Sequence, residues 1–328
     1  MFTAGCTLSR LQSLRLQASQ GKRHFGFRSI SWMAAALWCI SLGCARDHYI
    51  YGVKPNGVSF ERPQTVDASN ALAIGGDHPF VDRIEHWVQF PRRSVAAFLG
   101  KPRVTEAELI EKRFEALEAA EAYLGDNRLS DVYIDLRRYE PREQWERMLA
   151  NDRISPFWKA TGGTLSVLGY ALIPRRALGS DHYDPYTNTL SLNSIDPVKA
   201  LYEAGEAKQF RQHYFLGTYA VFQLAPVAPL YHHAHATSDV LTYAMVNGDW
   251  ELERQLYPVA YGRLGRAAVS ETMSVVPYAA GKPFYTTPLM ALAGGVVGNA
   301  TGNWVLRYRS LSREWQTAGK PSQVFNSD

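Results

Sequence analysis

Cysteine is nearly missing from this chain: of 328 residues only Cys6, Cys39 and Cys44 carry a thiol, and none follows residue 44. A disulfide framework and a thiolate metal site are therefore excluded from the body of the protein. An excess of one charge is also scarce. The formal net charge is +4, but Arg10, Arg15, Lys22, Arg23 and Arg28 lie in the first 43 residues without a single acid, so the remainder is close to neutral. A nucleic-acid partner gets no support from that balance, because phosphate binding needs Lys and Arg clustered on the folded domain. Neither G-x-x-x-x-G-K-[ST] nor G-x-S-x-G occurs, and Gly294-Gly295-Val296-Val297-Gly298 lacks the strand and downstream acid of a dinucleotide site. No internal repeat is apparent. What is present, 46% hydrophobic and 20% charged residues, is ordinary globular composition and excludes disorder, collagen and coiled coil.

The basic residues belong to a leader. Lys22, Arg23 and Arg28 precede the uncharged apolar run Ile30–Gly43, which has the length of a signal-peptide core and is short for a membrane span. Ser41-Leu42-Gly43-Cys44 resembles a lipobox, with Ser41 where Leu is usual. Cleavage before Cys44 would leave a unique N-terminal thiol, the point at which diacylglycerol is attached in bacterial lipoproteins. Residues 1–43 thus read as a signal peptide, or alternatively as an uncleaved anchor or an ordinary buried helix. The expected location is the bacterial cell envelope, tethered to the membrane and facing outside the cytoplasm.

Residues 44–103 read as an extended arm, since Pro55, Gly57, Pro63, Gly75, Gly76, Pro79, Pro91 and Pro102 interrupt every candidate element. Residues 104–328 read as one α+β, mostly helical domain. Thr105 and Glu108 form a capping box, Ile110, Phe114, Leu117 and Leu124 recur at helical spacing, and Gly125 ends the helix. Val132, Ile134 and Leu136 alternate with polar neighbours, as in a half-buried strand. Pro141 starts a short helix around Trp145. Thr164–Ile173, bounded by Gly162-Gly163 and Pro174, reads as a second strand, and Thr189–Asn193, after the turn signal Asp184-Pro185, as a third. Asp196-Pro197 supplies an N-cap and a proline at the first helical position of a helix running to about Tyr214. Beyond Phe215 the pattern is almost wholly helical. Two apolar segments, Tyr214–Tyr231 and Pro288–Val297, read as buried helices rather than membrane insertions.

The chemistry-bearing residues are concentrated in the helix after Pro197 and in His232-His233-Ala234-His235-Ala236-Thr237-Ser238-Asp239. A strand, a short turn, a helix and a second helix about thirty residues on is the order of parts in gluzincin-type zinc metallopeptidases. Tyr202-Glu203-Ala204-Gly205-Glu206 resembles their H-E-x-x-H helix with both histidines replaced and the general-base position, Glu203, kept. The resemblance extends over about residues 160–305, and the chain is also similar to a set of uncharacterised bacterial envelope proteins. It implies a small sheet packed on a metallopeptidase-like helical core. A phenol is a poor replacement for an imidazole ligand, since it must lose a proton near pKa 10. Glu206 is a competent oxygen ligand, and His232, His233 and His235 offer nitrogens, with His235 and Asp239 at E-x-x-x-D spacing, so Glu203, Glu206 and the His232–His235 cluster are expected to converge in one pocket. The resemblance therefore implies a metallopeptidase-like protein without ordinary peptidase activity, binding an envelope protein or peptide and needing no cofactor. The alternative is a metal-dependent hydrolase, with Glu206, His232 and His235 holding zinc and Glu203 as general base.

Overall fold

The computed structural model describes residues 49–53, 70–76, 78–98, 105–173, 175–223, 225, 228–280 and 286–318. The leader and Cys44 lie outside the described residues. In chain order the elements are β1 (Leu72–Ile74), α1 (Pro79–Phe98), α2 (Glu106–Asp126), β2 (Tyr133–Leu136), α3 (Pro141–Ala150), α4 (Pro156–Trp158), a π-helical turn (Lys159–Gly163), α5 (Thr164–Leu172), α6 (Arg175–Leu178), β3 (His182–Asp184), β4 (Thr189–Leu192), α7 (Pro197–Arg211), α8 (Leu216–Phe222), α9 (Ala228–Val246), α10 (Trp250–Ala280) and α11 (Thr286–Ala318). The four strands form one mixed sheet in the order β1-β2-β4-β3, parallel except for β3 against β4. The class is α+β, mostly helical, as the sequence implies.

The capping box forms: the Glu108 N–H donates to Thr105 Oγ1 at 3.3 Å, and the Thr105 N–H donates to Glu108 Oε2 at 2.8 Å. Helix α2 buries Leu117, Ala120, Tyr123 and Leu124, whereas Ile110 and Phe114 in its first half stay exposed. Strand β2 has the expected register, with Val132, Ile134 and Leu136 in the core. Its other face is only partly solvated, at Tyr133. Asp135 is buried as well, accepting from Arg147 at 3.0 Å and Gln144 at 2.6 Å from α3, which covers that side of the sheet.

Three expectations are corrected. Thr164–Leu172 is helical, not a strand: Val167 and Tyr170, three residues apart, face the core, while Leu165, Leu168 and Leu172 are exposed. A short apolar run between breakers has no periodicity that separates strand from buried helix. The arm is not all extended either. Residues 79–98 are helical, with Pro79 at the first position, where its missing N–H costs nothing, and with the His78 N–H held by Asp82 at 2.8 Å. Nor are the two apolar segments wholly buried, since Phe215, Phe222 and Tyr231 in one and Leu292, Val296 and Val297 in the other are exposed. Among the described residues no helix is long and apolar enough to cross a membrane.

Helix α7 is the axis of the core. Asp196 caps it, accepting from the Val198 N–H at 3.1 Å, and it ends at Arg211 rather than near Tyr214. Leu201, Phe210, Ala200, Ala204 and Ala207 are all buried, so both of its flanks are packed. Gly205 lets α9 approach: a Cβ there would lie 2.5 Å from Val240 Cγ1. The segment after Cys44 is fastened to the same core. Lys208 donates to the Tyr49 hydroxyl at 2.9 Å and to the Ile50 carbonyl at 2.8 Å, and the Gly52 N–H donates to Asn127 at 3.1 Å.

Candidate functional site

Residues 202–206 lie where α7 faces α9 and α10. Tyr202 and Glu203 are buried, and Glu203 is ion-paired with Arg263 of α10. The Arg263 guanidinium lies 4.6 Å from the centre of the Tyr202 ring, so one cation serves both residues. One turn on, Glu206 Oε1 lies 2.7 Å from His233 Nδ1. The Tyr202 hydroxyl is 3.2 Å from the same nitrogen and 3.4 Å from the His233 carbonyl. The Tyr202 hydroxyl is thus the hydrogen-bonding neighbour of His233, and Glu206 approaches the same nitrogen as an ion-pair contact. Glu203, His233, Arg263, Arg266 and Asp181 open onto a cleft of about 330 Å³. Asp181 is held by the backbone N–H groups of Asn193 (2.6 Å) and Ser194 (2.7 Å).

Two carboxylates one helical turn apart in the interior cannot share one environment, and here they are split. Burial pushes the Glu203 carboxyl above the ordinary range, against the pull of Arg263 and helped by repulsion from Glu206. Burial also pushes Glu206 upward, but His233, His232 and Arg263 outweigh it and hold that carboxyl below the ordinary range. Tyr202 is raised, first by burial and then by Glu206, so its phenol stays protonated.

The downstream histidines separate by helical phase. His233 meets Glu206. His232 turns to Phe210, with ring centres 4.5 Å apart, and its Nδ1 lies 3.2 Å from the Tyr219 hydroxyl. Burial lowers its pKa to about 4. His235 packs on Tyr231 at 4.2 Å and lines a different cleft with His213 and Asp239. Asp239 does not orient a ligand histidine: its carboxylate takes Lys208 at 2.9 Å and the Tyr123 hydroxyl. Glu206, His232 and His235 therefore do not assemble as a ligand set, and among the described residues no three His, Cys, Asp or Glu side chains form a group able to hold a metal ion. A catalytic zinc needs three protein ligands and an open position, so the residues present do not fit one.

Of the expected histidine cluster, His233 alone meets Glu206 and shares the cleft with Glu203, while Arg263 and Lys208 are not signalled by the motif. His233 was recoverable from phase, since it shares a face with Ala236, Thr237 and Val240, which are buried against α7. Arg263, sixty residues from its partner, had no local signal. No protein-family model, no curated protein and no solved structure matches this chain.

Proposed function

We propose that this protein is an envelope-anchored, metallopeptidase-like scaffold that has lost ordinary peptidase activity and works by binding an envelope protein or peptide. One observation carries the reading. Glu203, which stands where a general base would activate water, is paired with Arg263, and Glu206, which stands where a ligand would bind, is paired with His233. Side chains belonging to the chain itself, a guanidinium and an imidazole, occupy both carboxylates. The Glu203 oxygen that would face a water to be activated is occupied by the Arg263 guanidinium instead.

The experiment is metal analysis of the purified protein together with casein cleavage. The expected result is no stoichiometric zinc and no cleavage, with raised zinc affinity in the double variant Tyr202→His, Glu206→His. Incorporation of labelled fatty acid, abolished by Cys44→Ser, tests the anchor separately. One observation favours the alternative, a hydrolase with rearranged ligands: the buried His232 Nε2 has no hydrogen-bond partner among the described residues. Stoichiometric zinc in the wild type, with hydrolysis abolished by Glu203→Gln, would establish that alternative and overturn the first reading.

A further inference from the structure

A second and larger cleft, about 650 Å³, lies outside the carboxyl ends of the parallel strands β1 and β2, between α1 and α2. Crevices in that position relative to parallel strands are recurrent ligand sites, and the volume suits a small organic molecule. The strand ends meet closely here. The Gly75 N–H donates to the Leu136 carbonyl at 2.9 Å, and a Cβ on Gly75 would lie 2.1 Å from the Arg137 carbonyl oxygen. Arg137 itself has φ of 52°, a conformation that a non-glycine residue adopts only when its surroundings impose it.

Three arginines converge on this cleft: Arg113 from α2, Arg137 after β2 and Arg176 from α6. Two have counter-ions. Arg137 is gripped by both oxygens of Glu85 at 3.1 and 2.8 Å, while Arg176 donates to Asp82 at 2.6 Å and to the Gly76 carbonyl at 2.8 Å. Arg113 differs. It forms no ion pair with any described residue, and its Nε, like that of Arg176, is buried without a hydrogen bond. Burial and then the like charges of Arg137 and Arg176 work against its protonated form, while the carboxylates of Glu85 and Glu106 favour it. A guanidinium never discharges near neutral pH, so a half-buried one that holds no carboxylate in an ion pair can take an anion. The wall around it is mixed, with Glu85, His86 and Glu106 on one part and an apolar part that is open to solvent, where Ile74 is 60%, Ile110 45% and Phe114 49% exposed.

We infer that this cleft binds a small organic oxyanion, a carboxylate or phosphate carried on an apolar body, with Arg113 reading the anion and Ile74, Ile110 and Phe114 receiving the apolar part. The planar fork of Arg113 matches two oxygens of either group. The site is independent of the α7 cluster and does not rest on the function proposed for it.

The test is calorimetric titration of the full-length chain with benzoate, phenyl phosphate, benzyl alcohol and inorganic phosphate. Saturable one-site binding of benzoate or phenyl phosphate is expected, and which of the two binds identifies the anion. Binding should weaken at least tenfold in Arg113→Gln and less in Arg113→Lys. Because Arg113 has no ion pair to lose, Arg113→Gln should melt no lower than the wild type. Phe114→Ser should weaken the aromatic anion without affecting inorganic phosphate. Failure of both aromatic anions to bind, equal binding of benzyl alcohol, or unchanged affinity in Arg113→Gln would overturn the inference.

Discussion

Replacing Arg263 with Met should produce a destabilisation that grows with pH. In the wild type the side chain of Glu203 is 3% exposed and that of Arg263 18%, so the pair is an interior one. Removing one partner of such a pair costs about 3–5 kcal/mol, mostly because the other charge is left buried without compensation. Glu203 can escape that cost by taking a proton. Its carboxyl is raised by burial even with Arg263 present, and without the guanidinium it must rise further. A carboxyl whose folded pKa exceeds its unfolded value contributes stability that is complete below the unfolded pKa and is lost as pH rises through the folded one. At pH 5.5 Glu203 is therefore neutral in the variant, and the loss reduces to the contact of Arg263 with the Tyr202 ring, about 1–2 kcal/mol. At pH 8.5 the full penalty returns. Urea unfolding of Arg263→Met at the two pH values measures the difference directly. The double variant Arg263→Met, Glu203→Gln removes the stranded charge and should recover most of the loss at pH 8.5. An equal loss at both pH values, or no recovery in the double variant, would show that the two residues are not coupled through charge.

Leu201 is fully buried on α7, and Leu201→Ala should cost about 2–5 kcal/mol, read from a thermal melt; an unchanged melt would place this face of the helix outside the core. Gly205→Ala forces its new Cβ onto Val240 Cγ1, so it should cost about 1–3 kcal/mol and be partly relieved by Val240→Ala, as chemical denaturation of the single and double variants would show. His232, with its pKa lowered to about 4 by burial, stays neutral in the folded protein while the unfolded chain takes up a proton near pH 6.5. Stability should therefore fall by up to about 3 kcal/mol between pH 6.5 and pH 4, and His232→Phe should flatten that part of the stability profile.

Wherever a signal was local, the sequence was legible. The capping box at Thr105 and Glu108, the Asp196-Pro197 start of α7 and the register of Val132, Ile134 and Leu136 each depend on groups within four residues of one another, and each forms as read. Segments with competing local signals were misread. Thr164–Leu172 has the apolar density of a strand, and only the exposure of Leu165, Leu168 and Leu172 reveals its helical face. Pro91 seemed to forbid α1, but one interior proline removes a single hydrogen bond, and the helix Pro79–Phe98 continues through it. In the candidate site, the helix carrying Glu203 and Glu206 and the histidine cluster that meets it are legible, but which histidine pairs with Glu206, and the Arg263 partner of Glu203, are not. His233 differs from His232 by a rotation of one residue about the α9 axis, and Arg263 pairs with Glu203 through tertiary packing alone.

The knot around Lys208 also limits how far the domain can stand from a tether. Tyr49 is held by Lys208 and Asn127, five residues after Cys44, and five residues of fully extended chain reach about 18 Å at most. If Cys44 carries the lipid as proposed, no more than that length of chain separates the lipidated residue from Tyr49, the first described residue fastened to the core. A partner would then be met close to the lipid headgroups rather than out in the surrounding space. Any pull on the leash would be borne first by the hydrogen bonds of the buried Lys208 to Tyr49 and Ile50, inside the core and not at its surface.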